Sequence, residues 1–338
     1  MQLDGIVKLF SEEFPMLTER ENLNLVFTPG CMPAWIPHMF TAYNFIVPTD
    51  VIADRPQFGV TRGKDWFGVT WIWDDATAGF VQDPHVPLVC SNVTKWERQV
   101  RFPDLDAIDW EKAAAPVVAA YDPDKWTQLM LQCGIFERTH SLLGFENTFI
   151  AMYDEPNALF DLMSAITDHR IAVMKKAAKY FKPDLITNMD DYGAQNGPLM
   201  SREMFRTHIL PHGKRLGNAL HELGILYQHH SCGTWDKLAP DMMEMGMRSM
   251  TAVAPTNDVD WLIREYGDQL VFDGGMDVLR VLDYPGCTEE QARKEARRAM
   301  DKFGPTGNYV AGGYCNRPME EIVIDEVMHY GRSFYSAK

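Results

Sequence analysis

Two textures of apolar and polar positions divide this chain. Beyond Asp122, short apolar runs alternate with longer amphipathic stretches of helical period. The runs at 25–28, 129–134, 185–190, 225–229, 248–253, 270–273 and 309–313 predict strands. Between them, 157–181, 201–223, 235–245 and 288–303 predict helices, and 318–330 closes the chain. Ser201 and Thr288 supply N-caps followed by acids, and Pro318 suits the first turn of the last helix. Repeated strand–helix units imply parallel strands, and so many of them imply a closed barrel. The expected fold is therefore α/β, a (β/α)8 TIM-type barrel with an N-terminal extension folded over it. An open doubly wound sheet is the alternative, but no Gly-x-Gly-x-x-Gly phosphate loop supports it.

The first 120 residues read differently, rich in Pro, Trp and short β-like runs such as 67–73. No linker, repeat or low-complexity segment interrupts the chain. Residues 1–338 are expected to form a single barrel domain, with 1–120 as extension and lid and 121–338 as most of the barrel.

Barrel active sites lie at the C-terminal strand ends, and several polar residues fall there. His230 and Cys232 form an H-x-C pair where one apolar run ends, and Cys315 ends another in Gly312-Gly313-Tyr314-Cys315. Residues two apart on extended backbone share a side. Two thiolates and an imidazole suit Zn²⁺ and leave a fourth position open. The competing reading makes both cysteines small buried hydrophobes and His230 a loop cap. Asp190 and Asp191 end the run at 185–190 and are candidate catalytic acids, orienting groups or hydroxyl binders; a loop cap is the plainer role for one of them. Asp273 and Asp277, around Gly274-Gly275, read more readily as loop caps. Candidate substrate-binding residues are Trp66, Phe67 and Trp71, with Tyr192, Gln195 and His229. The aromatic residues, Trp73 among them, serve equally as core, and alternation turns His229 away from His230. Glu137 and Arg138 suggest a local ion pair.

Composition narrows the partners. A formal net charge of −15 argues against nucleic acid and anionic membrane. Six scattered cysteines show no disulfide framework, no apolar run approaches a membrane span, and Met1-Gln2-Leu3-Asp4-Gly5 has no basic leader signal, so a cytoplasmic location is expected. Asp241-Met242-Met243-Glu244-Met245 is compatible with self-association as a homodimer.

The segments Gly63-Lys64-Asp65-Trp66-Phe67-Gly68, Asp190-Asp191-Tyr192-Gly193-Ala194-Gln195, Ser201-Arg202-Glu203-Met204-Phe205, His230-Ser231-Cys232-Gly233 and Phe272-Asp273-Gly274-Gly275 resemble the uroporphyrinogen decarboxylase superfamily. That resemblance covers most of the chain from about Gly63. It implies a (β/α)8 barrel and one of two chemistries. One is metal-free decarboxylation of porphyrinogens. The other is zinc-dependent methyl transfer with corrinoid proteins or thiols, using His-x-Cys and a distant Cys as ligands, here His230, Cys232 and Cys315. The segment 31–38 lacks the arginines that the decarboxylases carry for substrate carboxylates. The resemblance therefore implies the methyltransferase branch, and Gly63–Gly68 with the aromatic N-terminal region is similar to anaerobic O-demethylases. The expected reaction moves a methyl group from a small aromatic methyl ether of guaiacol or veratrole type to Co(I) of a separate corrinoid (cobalamin) protein. Asp83-Pro84-His85 has no following Gly, so this chain has no evident corrinoid motif of its own. Methylcorrinoid:thiol methyl transfer and decarboxylation are the alternatives.

Overall fold

A computed structural model of the chain describes residues 17–57, 59–75, 79–316 and 318–336. Its strands, in chain order, are β1 (Tyr43–Ile46), β2 (Arg62–Lys64), β3 (Thr70–Asp74), β4 (Gly79–Gln82), β5 (Trp126–Leu131), β6 (Leu185–Met189), β7 (Gly193–Ala194), β8 (Gly197–Pro198), β9 (Leu226–His230), β10 (Ser249–Val253), β11 (Val271–Gly275) and β12 (Tyr309–Gly312). Seven of them make one parallel sheet in the order β1-β5-β6-β9-β10-β11-β12. Helices cover its outer face, the longest being Pro156–Phe181 and Glu289–Phe303.

Among the described residues the sheet curls into a TIM-like barrel with seven strands rather than eight. The eighth place holds a single parallel bridge, His38 to Ala311, with Ala311 N–H donating to the Pro37 carbonyl at 2.8 Å. A helical turn, Met39–Ala42, then carries the chain from that bridge into β1. Pro37 has no N–H to extend a ladder. The run at 25–28 is not a strand: residues Glu19–Val26 form a helix with a Thr18/Glu21 capping box. Its Leu23 and Val26 pack with Trp126, Leu185, Val271 and Val310, and so plug the bottom of the barrel.

Alternation along the strands stacks the interior in layers. Below lies that apolar plug. Above it Gln128, Thr187, Gln228, Ser249 and Asp273 form a polar layer: Gln128 Nε2 donates to Gln228 Oε1 at 2.7 Å, and Gln228 Nε2 donates to Ser249 Oγ at 2.9 Å and to Asp273 Oδ2 at 3.1 Å. The next inward positions, His230 and Thr251, open at the C-terminal mouth.

The strands β2–β4 form a separate antiparallel sheet joined to the barrel by buried charge. Arg138 donates to Asp65 at 2.5 Å and to Asp54 at 3.1 Å, and Arg170 donates to Asp54 at 2.6 Å. Trp66 and Trp71 give their indole N–H groups to Asp54 and Asp65, at 2.9 and 3.0 Å. Phe67 lies under the Arg138 guanidinium, 4.4 Å from its ring centre. No helix among the described residues is long and apolar enough to cross a membrane.

Candidate metal centre

Two loops build the mouth of the barrel, 190–198 after β6 and 230–235 after β9. They meet backbone to backbone at glycines. A Cβ on Gly193 would come within 2.4 Å of the Cys232 carbonyl oxygen, and one on Gly233 within 2.7 Å of the Ala194 oxygen. Gly233 also has φ +75°, which a side chain would strain. This close approach brings Asp191, His230 and Cys232 together, with one ligand atom from each lying within 4.8 Å of the others. Cys232 Sγ is 3.4 Å from His230 Nε2, which is 3.8 Å from Asp191 Oδ1. The same Asp191 oxygen accepts the Cys232 backbone N–H at 2.8 Å.

Electrostatics suit a cation. Burial lowers the His230 pKa, so its ring is neutral with a lone pair free to ligate. The Cys232 thiol is raised well above its ordinary value by desolvation and then by the negative charge of Asp191 and Glu137. His230 Nδ1 is buried without a hydrogen-bond partner. One nitrogen, one sulfur and one carboxylate donor in this small space fit Zn²⁺.

Cys315 is not in that group. It is buried beyond β12, where desolvation and then the nearby Asp283 and Glu320 push its thiol up to about 12. Its neighbour Tyr314 instead faces the cluster, with ring centres of Tyr314 and His230 6.3 Å apart.

Asp190 and Asp191 have separate surroundings. Asp190 is fully buried and accepts the backbone N–H groups of Phe136 and Glu137, at 3.1 and 2.8 Å, capping the helix Ile135–Leu143. Tyr192 donates its hydroxyl to the same carboxylate at 2.8 Å. Gly134 leaves room for it, since a Cβ there would lie 2.3 Å from Asp190 Cβ. Burial raises Asp190 to about 6 despite these donors. His229 stacks on Tyr192 and is held by Tyr227 Oη at 2.9 Å and the Asp190 carbonyl at 3.0 Å, all within the packed core. Gln195 is exposed on the β7–β8 hairpin, where its carbonyl accepts from Thr234 at 3.1 Å. Trp66, Phe67 and Trp71 stand in the Arg/Asp network rather than at the cavity.

Glu137 and Arg138 do not pair with each other, because successive helical residues face different ways. Glu137 pairs with Arg55 at 3.0 Å. Burial nevertheless raises its pKa, with Asp191 and Asp190 adding repulsion. Neither this pair, 82 positions apart, nor the part of Asp191 in the cluster has a local pattern that announces it.

Beside the cluster, a cavity of about 350 Å³ opens over the ends of β10, β11 and β12. Gln195, Gly233 and Tyr314 border it toward His230 and Cys232; Met39, Val253 and Met276 give it apolar walls. Ala252 takes φ +61° where the β10–β11 register shifts, a conformation alanine adopts only under constraint.

The family model for uroporphyrinogen decarboxylase (URO-D) matches residues 129–321. No curated protein matches the chain. Among solved structures, a methyltransferase from Methanosarcina mazei is similar over 95% of this chain and 99% of that one, at 13% identity and a TM-score of 0.63, and so shares the fold. A sugar phosphate isomerase/epimerase from Parabacteroides distasonis is 11% identical over 77% of this chain and 81% of that one, with a TM-score of only 0.32. The matched family segment spans more than half of the chain, from β5 past Cys315, and on that ground this protein belongs to the uroporphyrinogen decarboxylase family.

Proposed function

We propose that this protein is a zinc-dependent methyltransferase that moves a methyl group from a methoxylated aromatic to Co(I) of a separate corrinoid protein, as in anaerobic O-demethylation. The observation that carries this reading is the Asp191–His230–Cys232 cluster at the barrel mouth, bordering a largely apolar cavity. Those three residues would hold the zinc, and Cys315 is proposed as a further ligand, one residue beyond the Tyr314 that touches His230. Bound there, zinc would supply Lewis acidity toward the oxygen that leaves with the aromatic ring.

The remaining work falls to the chain. Met39, Val253 and Met276 offer apolar surface to a ring and exclude water from the reacting bond. Asp191 fixes the Cys232 backbone through its N–H, and so sets the thiol's position relative to His230. Asp190, enclosed and capping a helix, acts by position: it ties Tyr192 and the helix Ile135–Leu143 to the end of β6. Decarboxylation of a polyacid finds less support. Among the described residues lining the cavity, Arg280 is the one strong base, and Asp277 engages it at 2.8 Å.

Methyl transfer from 2-methoxyphenol to a reduced corrinoid protein, followed by the cobalt absorption bands, tests the proposal. Methyl transfer is expected with the wild-type chain and not with Cys232→Ser. Transfer from methylcobalamin to a thiol, with aromatic ethers inert, would place the chain on the other side of a methyl cycle.

A further inference from the structure

We infer that the cavity over β10–β12 is built for an aromatic ring bearing a free hydroxyl, and that Asp273 Oδ1 accepts the hydrogen bond from that hydroxyl. This deepens the methyl-transfer reading by selecting a methoxyphenol over a fully methylated ring, and it rests on that reading for the methoxy group alone.

Asp273 lies in the barrel interior with no exposed surface and also lines the cavity. Its two oxygens are served unequally. Oδ2 accepts from Gln228 Nε2 at 3.1 Å, while Oδ1 has no partner. Thr251, on the adjacent strand, also lines the cavity, and its fully buried Oγ1 sits beside the Asp273 carboxyl and Tyr314 without a hydrogen bond of good geometry to either. Tyr43 Oη is also unpartnered and lies near enough to Asp273 for that charge to raise the tyrosine pKa beyond what burial does, but it belongs to the apolar plug below and does not line the cavity. Buried polar atoms are normally paired, and a native core carries few exceptions. Here two of them, on the neighbouring strands β10 and β11, belong to residues lining one cavity, whose other walls include Met39, Val253, Met276 and Tyr314, with Asp277 and Arg280 at its edge.

A hydroxyl complements this set and an ether does not. The hydroxyl hydrogen meets the carboxylate, and its oxygen can accept from Thr251. A methyl ether offers no hydrogen and would leave Asp273 Oδ1 desolvated and unpaired. Sites built to hydrogen-bond a hydroxyl reject analogues lacking it for this reason. The cavity is in the range of small-molecule sites.

The test is equilibrium binding to the full chain by calorimetry, without corrinoid protein, at pH 8. That lies above the value of about 7 to which burial raises Asp273, so its carboxylate acts as an acceptor. The probes are 2-methoxyphenol and 1,2-dimethoxybenzene. The phenol is expected to bind about tenfold or more tightly, the size of a hydrogen bond to a charged group. Asp273→Asn should bring the two affinities to within about twofold, and Thr251→Val should weaken the phenol more than the diether. Equal binding of both probes by the wild type overturns the inference, as does binding of neither. A preference undiminished in Asp273→Asn overturns it as well. The wild-type contrast decides alone where that variant does not fold. If the hydroxyl preference holds but no methyl group moves to cobalt, the function proposed above fails and this inference stands.

Discussion

Two clusters of buried or half-buried polar groups in the molecule are organised in opposite ways. Under the N-terminal sheet, Asp54 and Asp65 face Arg138 and Arg170, and every carboxylate oxygen has at least one donor. Two negative charges balance two positive ones, with indoles filling the remaining positions. At the barrel mouth, Asp191, Cys232 and Glu137 gather negative or potentially negative groups around a neutral His230, and Arg55 engages Glu137 rather than the other three. The first arrangement balances its charges within the chain and leaves only Arg170 Nη2 without an acceptor. The second gathers ligand atoms toward a common point and calls for a cation. Closed pairing marks the part that holds the fold, and unbalanced convergence marks the part proposed to do chemistry.

The comparison predicts that the two clusters fail differently. Arg138→Ala should destabilise the protein by about 3–5 kcal/mol, because it leaves Asp65 and Asp54 buried beside one fewer cation. Thermal unfolding checks this, and metal content per folded chain should be unchanged. Next comes Cys232→Ser at the mouth. Its expected cost is about 100-fold or more in methyl transfer, with a melting temperature close to wild type, since Cys232 is exposed at the rim and outside the core. A large loss of stability there would erase the distinction between the clusters. Asp191→Asn should cost roughly 10- to 100-fold in zinc affinity, read by competition with a chelating dye. Asp190→Asn should instead lower the melting temperature, because one amide cannot accept from both Phe136 and Glu137 N–H as the carboxylate does.

A further effect, gradual rather than abrupt, concerns pH. Burial keeps the Asp273 proton on to about pH 7 in the native state, whereas an ordinary unfolded carboxyl loses it near about 4. The native chain therefore binds more protons between those values, and this group's contribution to stability falls as pH rises through that window. Asp273→Asn removes that decline. Relative to wild type, the variant's melting temperature should climb by about 2 °C or less per pH unit between pH 4 and 7. No change in the difference across that range would mean Asp273 is not held protonated.

The parallel strands from β5 onward were legible because each is a short apolar run bounded by an amphipathic helix, a pattern set by burial on both faces. The ends of the barrel were not. The run at 25–28 is apolar for a different purpose, as the tail of a capped helix plugging the barrel, although Thr18-Glu19-Arg20-Glu21 carries the capping signal in plain view. The eighth position of the ring is one bridged residue, His38, and one residue has no periodicity to detect. At the site, His230 and Cys232 were visible through their spacing, because alternation on a strand is a local rule. Asp190 and Asp191 were visible only as a pair. Which one caps a helix and which faces the cluster is decided by the helix that follows β5 and by the loop after β9, both remote in sequence. Trp66 and Trp71 looked like a substrate wall, but their N–H groups are committed to Asp54 and Asp65.

The most direct measurement is zinc content, by elemental analysis, of protein purified anaerobically without chelators, for the wild type beside Cys232→Ser and Arg138→Ala. The expected result is about one zinc per chain in the wild type and in folded Arg138→Ala, and almost none in Cys232→Ser. Folded wild-type protein that takes up no zinc, even when supplied with it, would contradict the account at its centre.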